Sequence, residues 1–235
     1  MATFEVQVEG LTGIAITSGT NPTQDEVSQF LKDGVNDVTN RWLLVRPQDI
    51  FNFQRESATV DSNGGFETKG AKIISVIREA EADGSSDGST AWEVCRQIPA
   101  SMQSKVVDTE SLHFASKYNP VYAIIDYNKV HVYPVPDGTN DGFKVFYVNN
   151  VPTDQTNGAA LIYSHSDIKY FPNDKVYLVV LYAGIKSLEA KMAEFTIDEE
   201  DVELVQSIST NLASLKQQYD TAFEIAAPRQ AEREN

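Results

Sequence analysis

FPNDKVYLVVLYAGIKSLEAKMAEF, residues 171–195, is apolar on nearly every side from Val176 to Ile185. A helix of that kind must be covered on several faces, so other elements have to pack around it. Pro172 suits the first helical position, where its missing N–H costs nothing. Further on, Leu188 and Met192 narrow the apolar face to a stripe.

The partners lie on either side of it in the chain. Downstream, a short TID connection leads to a third helix. Thr196 with Glu199 fits a capping box, and Glu199, Glu200 and Asp201 put negative charge at the positive end of the helix dipole. Val205, Ile208, Leu212, Leu215 and Tyr219 follow in three- and four-residue steps, the seam of an antiparallel helical hairpin. Upstream, Thr23 and Glu26 form another capping box, and Val27, Phe30, Leu31, Val35, Val38 and Trp42 make one stripe. Gly34 lies on that stripe and weakens the helix by about 1 kcal/mol relative to Ala, which a close helix–helix approach would justify. Pro47 ends the run.

Residues 46–171 read as strands and turns. IFNFQRES (50–57) alternates weakly, AKIISVIREAE (71–81) has the β-branched run of a central strand, and FKVFYVNNVP (143–152) is another strand. DSNGG (61–65) and DGSSDGST (83–90) are turn-forming. VYAIID and KVHVYPVP (121–126 and 129–136), separated by Tyr127 and Asn128, have hairpin spacing. Together these features predict an α+β fold. A helical bundle is built from the N-terminal helix (1–45) and the C-terminal hairpin (172–226), with a β-rich insertion (46–171). An extended polar tail (227–235) is expected to be flexible, since Pro228 blocks helix continuation and no hydrophobic periodicity follows.

Composition narrows the function. With 41% hydrophobic and 10% aromatic residues, 235 residues can bury a sizeable core. No apolar run reaches the ~18 residues needed to span a bilayer, and the first twenty residues lack the pattern of a secretory signal. The lone Cys95 excludes an internal disulfide framework and a Cys-rich zinc site, and suits a reducing compartment. A net charge of −15 disfavours ordinary binding to duplex phosphates.

The richest stretch for chemistry is SLHFASKYNPVYAIIDYNKVHVYPVP (111–136), with Ser111, His113, Ser116 and His131. Neither serine sits in a G-x-S-x-G elbow, so a hydrolase using His113 with Ser111 or Ser116 lacks its turn. SLHFASKYNP is read instead as a connection into the hairpin, and His131 as a half-exposed strand residue opposite Val130 and Val132. His113, His131 and His165 have no metal-ligand spacing, and DGTNDG (137–142) lacks the twelfth-position glutamate of an EF-hand. No catalytic residue, cofactor or metal ligand is expected, and the chain reads as a non-enzyme.

Three segments carry a resemblance: VSQFLKDGVNDVTNRWLLVRP (27–47), CRQIPASMQSKVVDTESLHFASKYNPVYAIIDYNKVHVYPVP (95–136) and FPNDKVYLVVLYAGIKSLEAKMA (171–193). They resemble virion structural proteins of tailed bacteriophages, and the layout is similar to the head-to-tail connector (adaptor) proteins beneath the portal. The likeness spans about residues 24–226 and includes no catalytic motif. It implies a homo-oligomeric ring, a dodecamer, in the virion neck, assembled from subunits made in the host cytoplasm. The implied partners are the portal protein and a tail or nozzle protein, with genomic DNA passing through an acidic lumen that repels phosphate. It also implies that the tail docks on the portal through Pro228, Arg229, Gln230 and Arg233. The alternative within the class is another neck, tail-completion or capsid accessory protein.

Overall fold

The computed structural model describes residues 2–61, 64–80, 91–136, 141–198 and 202–226. The chain is mixed α+β and divides into two compact units. One is Met1–Phe53 with Val151–Asn235; the other is Gln54–Asn150.

In the first unit the apolar helix is central. This helix, α4 (Val176–Asp198), packs against α1 (Phe4–Thr12), α2 (Gln24–Val45) and α5 (Val202–Ala226). It buries Leu178, Val179, Val180, Leu181, Ala183, Ile185 and Leu188. Each such side chain contributes about 1.5–3 kcal/mol on leaving water. Ser187 is buried with them and stays satisfied by donating to the Ala183 carbonyl at 2.8 Å. On α2 the capping box is formed: the Thr23 N–H donates to Glu26 Oε2 at 2.8 Å, and the Glu26 N–H to Thr23 Oγ1 at 3.3 Å. Gly34 lies where α2 meets α4, with a Cβ position 3.1 Å from the Tyr182 ring and 3.3 Å from Val179 Cγ1. That is the close approach its helical penalty called for.

Several local expectations are corrected. Pro172 precedes a 3-10 turn, Asn173–Lys175, and α4 itself begins at Val176. Residues Thr196–Asp198 continue α4 and do not connect it to the next helix, because EFTID contains no Gly or Pro to stop it. Thr196 is therefore not an N-cap, and its partner Glu199 lies outside the described residues. The α5 seam is buried at Leu212, Leu215 and Tyr219 and extends to Phe223 and Ala226, while Val205 and Ile208 are only half-buried. IFNF is not a strand: Pro47–Phe53 forms a 3-10 helix. Its Asp49 accepts the Trp42 indole N–H at 2.8 Å, and Phe53 is buried edge-on against Phe171 at 5.5 Å.

Helix α1 is not foreseen in the sequence. Thr3 caps its start, Gly13 at φ 70° closes its end, and Phe4 and Val8 are buried. Its first two N–H groups, which no helical carbonyl can satisfy, donate to His165 O (2.8 Å) and Tyr163 O (3.0 Å). Residues 151–171, grouped with the β-rich segment on sequence, thus fold with the helices. Asp154 holds that segment in shape by accepting the Thr156 and Asn157 N–H groups at 2.9 and 3.1 Å.

The second unit holds two four-stranded sheets. One has the order β1 (Gln54–Glu56), β8 (Phe143–Val148), β3 (Ile73–Glu79), β4 (Trp92–Val94), so the β-branched run of β3 is interior as expected. The other has the order β2 (Phe66–Glu67), β7 (Lys129–Tyr133), β6 (Val121–Ile125), β5 (Arg96–Gln97). Val76, Phe143, Val145 and Tyr147 of the first meet Tyr122, Val130 and Val132 of the second in one core. The opposite face of β6 and β7 is covered too: Val121, Ala123 and Tyr133 pack with Ala115 and with Val106 of α3 (Gln103–Val107). The β6–β7 register pairs Ile125 with Lys129. Its turn is therefore three residues, Asp126–Asn128, all left-handed at φ 48°, 53° and 70°, where two residues were expected. Part of DSNGG and of DGTNDG, and all of DGSSDGST, lie outside the described residues.

Candidate functional site

The structure separates the histidines into three unrelated settings. His113 is exposed on a loop whose Ser111 Oγ accepts the His113 backbone N–H at 3.1 Å, so that hydroxyl closes a turn. His131 is half-buried on β7, and its Nε2 lies against Gly65, whose left-handed backbone (φ 72°) lets the chain approach closely. His165 Nδ1 accepts the Ile162 N–H at 3.2 Å and stands 3.9 Å from the buried Asp154 carboxylate. Ser116 joins Asn119 in a backbone bridge. Among the described residues no group of three or more His, Cys, Asp or Glu is placed to hold a metal ion. Cys95 is buried, and burial pushes its thiol up to about 12 against the smaller opposing pull of the Arg78 charge. It stays a protonated, unreactive core residue. The four tail residues Pro228, Arg229, Gln230 and Arg233 lie outside the described residues.

Two features of the helical unit were not singled out on sequence. The first is a clamp between α2 and α5. Asp37 accepts the Tyr219 hydroxyl at 2.6 Å and pairs with Arg41 at 2.9 Å. Arg41 reaches Asp220 at 3.3 Å, and its guanidinium lies over the Tyr219 and Phe223 rings at 5.3 and 5.8 Å. The Tyr219 phenol is held well above its usual range, chiefly by burial and then by its bond to the Asp37 carboxylate.

The second is a groove of about 770 Å³ along α1, α4 and α5. Its apolar walls include Leu11, Tyr177, Val180, Leu181, Ala222 and Ile225, and its polar positions are glutamines and a threonine. None of the described lining residues is charged. Recognising it required α1, whose signal is Thr3 before the helix and Gly13 after it.

Charge is divided unevenly between the units. Residues 1–53 and 151–235 hold 10 Lys and Arg against 21 Asp and Glu, a net of −11, leaving −4 for residues 54–150. Among the described residues no helix is long and apolar enough to cross a membrane. No protein-family model matches the chain, and no curated protein matches it in sequence.

Proposed function

We propose that this chain is a structural subunit of a phage neck: a head-to-tail adaptor that assembles into a ring beneath the portal. The ring, a dodecamer by the resemblance, joins the portal to a tail or nozzle protein and lines part of the DNA conduit. The observation that carries this reading is the layout. The helical unit is assembled from both ends of the chain, and the β-sandwich is one uninterrupted excursion, Gln54–Asn150, between them. Here α1, α2, α4 and α5 act as one bundle that supplies rigid lateral surfaces, and the β unit meets the next component.

The concentration of negative charge in the helical unit supports the conduit role. An acidic wall repels phosphate, so DNA slides past without sticking. A ring closed by head-to-tail contacts needs two different complementary faces on each subunit. The tail completes the scheme by docking on the portal through Pro228, Arg229, Gln230 and Arg233, with the two arginines pairing with acidic groups there. Ordering that tail costs roughly 1–2 kcal/mol per residue, so the portal must offer a groove.

Deletion of residues 227–235 tests the docking role. The truncated subunit is expected to fold normally but to load poorly onto portal-containing capsids, leaving heads that leak DNA. Loading equal to that of the full chain would remove the tail from the interface. Replacing His113, His131 and His165 singly by Gln is expected to leave infectivity intact in folded, incorporated subunits. A loss there would favour the hydrolase reading.

A further inference from the structure

The loop Ser111–Ser116 of the β unit exposes a leucine that none of the described residues covers. Leu112 is fully exposed, and Val107, Tyr118 and Phe114, within six residues of it in the chain, are 55%, 58% and 41% exposed. The loop is held by backbone hydrogen bonds from Ser111 to Asp108, Phe114 to Ser111 and Ala115 to Val106, at 2.9–3.0 Å. A loop backbone held this way has already met part of the ordering cost of binding. From Ser111 to Ser116 the loop holds no carboxylate, lysine or arginine.

We infer that this loop is a knob that inserts into the α1/α4/α5 groove of a second copy of the chain. The match is one of charge as well as of hydrophobicity. Two copies that each carry −15 repel one another, so they associate best where both faces are neutral and apolar. None of the described residues that line the groove is charged, and Ser111–Ser116 hold no Asp, Glu, Lys or Arg. Another occupant within the chain fits less well. The tail Pro228–Asn235 has Arg229, Glu232, Arg233 and Glu234 and only Ala231 as a small apolar residue. A knob on one unit and a groove on the other make a head-to-tail contact, which closes into a ring or runs on as a filament. The inference rests on the ring reading and names the contact that builds it.

Two exposed-site variants test it by mass photometry and sedimentation velocity. Leu112→Lys removes the knob. Ile225→Lys charges the groove at a residue 77% exposed near the end of α5, where a cation suits the helix dipole. Circular dichroism is expected to match the wild type for both. Each variant alone is expected to assemble about thirtyfold more weakly than the wild type, as for a lost hot spot. An equimolar mixture is expected to form one-to-one dimers and nothing larger, because it contains one intact knob and one intact groove per pair. A mixture that stays monomeric, or either variant assembling like the wild type, overturns the knob and leaves the ring standing. Wild-type protein that never self-associates, alone or on portal, overturns both. A small apolar molecule carried in the groove of assembled wild-type protein would assign the groove elsewhere and overturn the knob.

Discussion

The Tyr219 hydroxyl donates to Asp37 Oδ2 at 2.6 Å, tying α5 to α2 across a separation of 182 residues. It joins two helices from opposite ends of the chain. Tyr219→Phe keeps the ring and deletes the donor. Because the Asp37 side chain is 30% exposed and still pairs with Arg41, the expected loss is about 1 kcal/mol, below the range for fully buried charged hydrogen bonds. The pH dependence gives a second check. The folded-state phenol lies above its ordinary value of 10.0, so its contribution is complete below that pH and is lost as pH rises beyond it. Denaturant midpoints of wild type and variant should therefore converge above pH 10; parallel curves would remove the bond from the account.

Arg78, only 3% exposed, organises the β unit. It donates to the Pro134 carbonyl at 2.9 Å and to the Glu79 carbonyl, and it pairs with Asp141. Arg78→Met leaves those acceptors without their cation and should destabilise the unit by about 3–5 kcal/mol. Hydrogen exchange would show it as lost protection in β3 and β8, with α2 and α4 unaffected if the two units unfold separately.

Gly34→Ala sets helix propensity against packing. Propensity favours Ala by about 1 kcal/mol, but the new methyl meets Val179 Cγ1 at 3.3 Å and Tyr182 Cβ and Cδ1 at 3.3 and 3.1 Å. Overpacking of this kind costs about 1–3 kcal/mol, so the net effect should be a lower melting temperature. A higher one would mean that α4 can move away freely.

Leu212→Asp and Ile208→Asp should differ. Leu212 is 6% exposed, and an unpaired carboxylate there costs several kcal/mol, comparable with the stability of the whole domain. Ile208 is half-buried beside Ser207 and Asn211, where water still reaches a carboxylate. Thermal unfolding should show the first variant unfolded or nearly so and the second only weakened. Equal effects would contradict the burial gradient along α5.

How far these elements were legible depended on whether their signals were local. The α2 capping box, the all-round apolar α4 and the β-branched β3 each declare themselves within a dozen residues. Helix α1 hides because Phe4, Val6 and Val8 alternate as in a strand; only Phe4 and Val8, one helical turn apart, are buried, while Val6 faces out at 54% exposure. Residues 151–171 lack any period, since they form turns that bury Leu161, Ile168 and Phe171 singly and turn the Tyr163 and His165 carbonyls to the start of α1. The groove was illegible for a further reason: its walls come from three helices spread between Gln7 and Ile225. The knob residues were in plain view in SLHFAS, but whether Leu112 is covered is a property of the folded loop.

The central claim, a ring-forming adaptor in a phage neck, is tested most directly by one image of the virion neck at subunit resolution. The account predicts a ring of this chain between portal and tail, with helical units in lateral contact, acidic side chains toward the channel and each 227–235 segment on the portal. A neck in which this chain is absent, or is present as isolated copies outside the DNA channel, would contradict it.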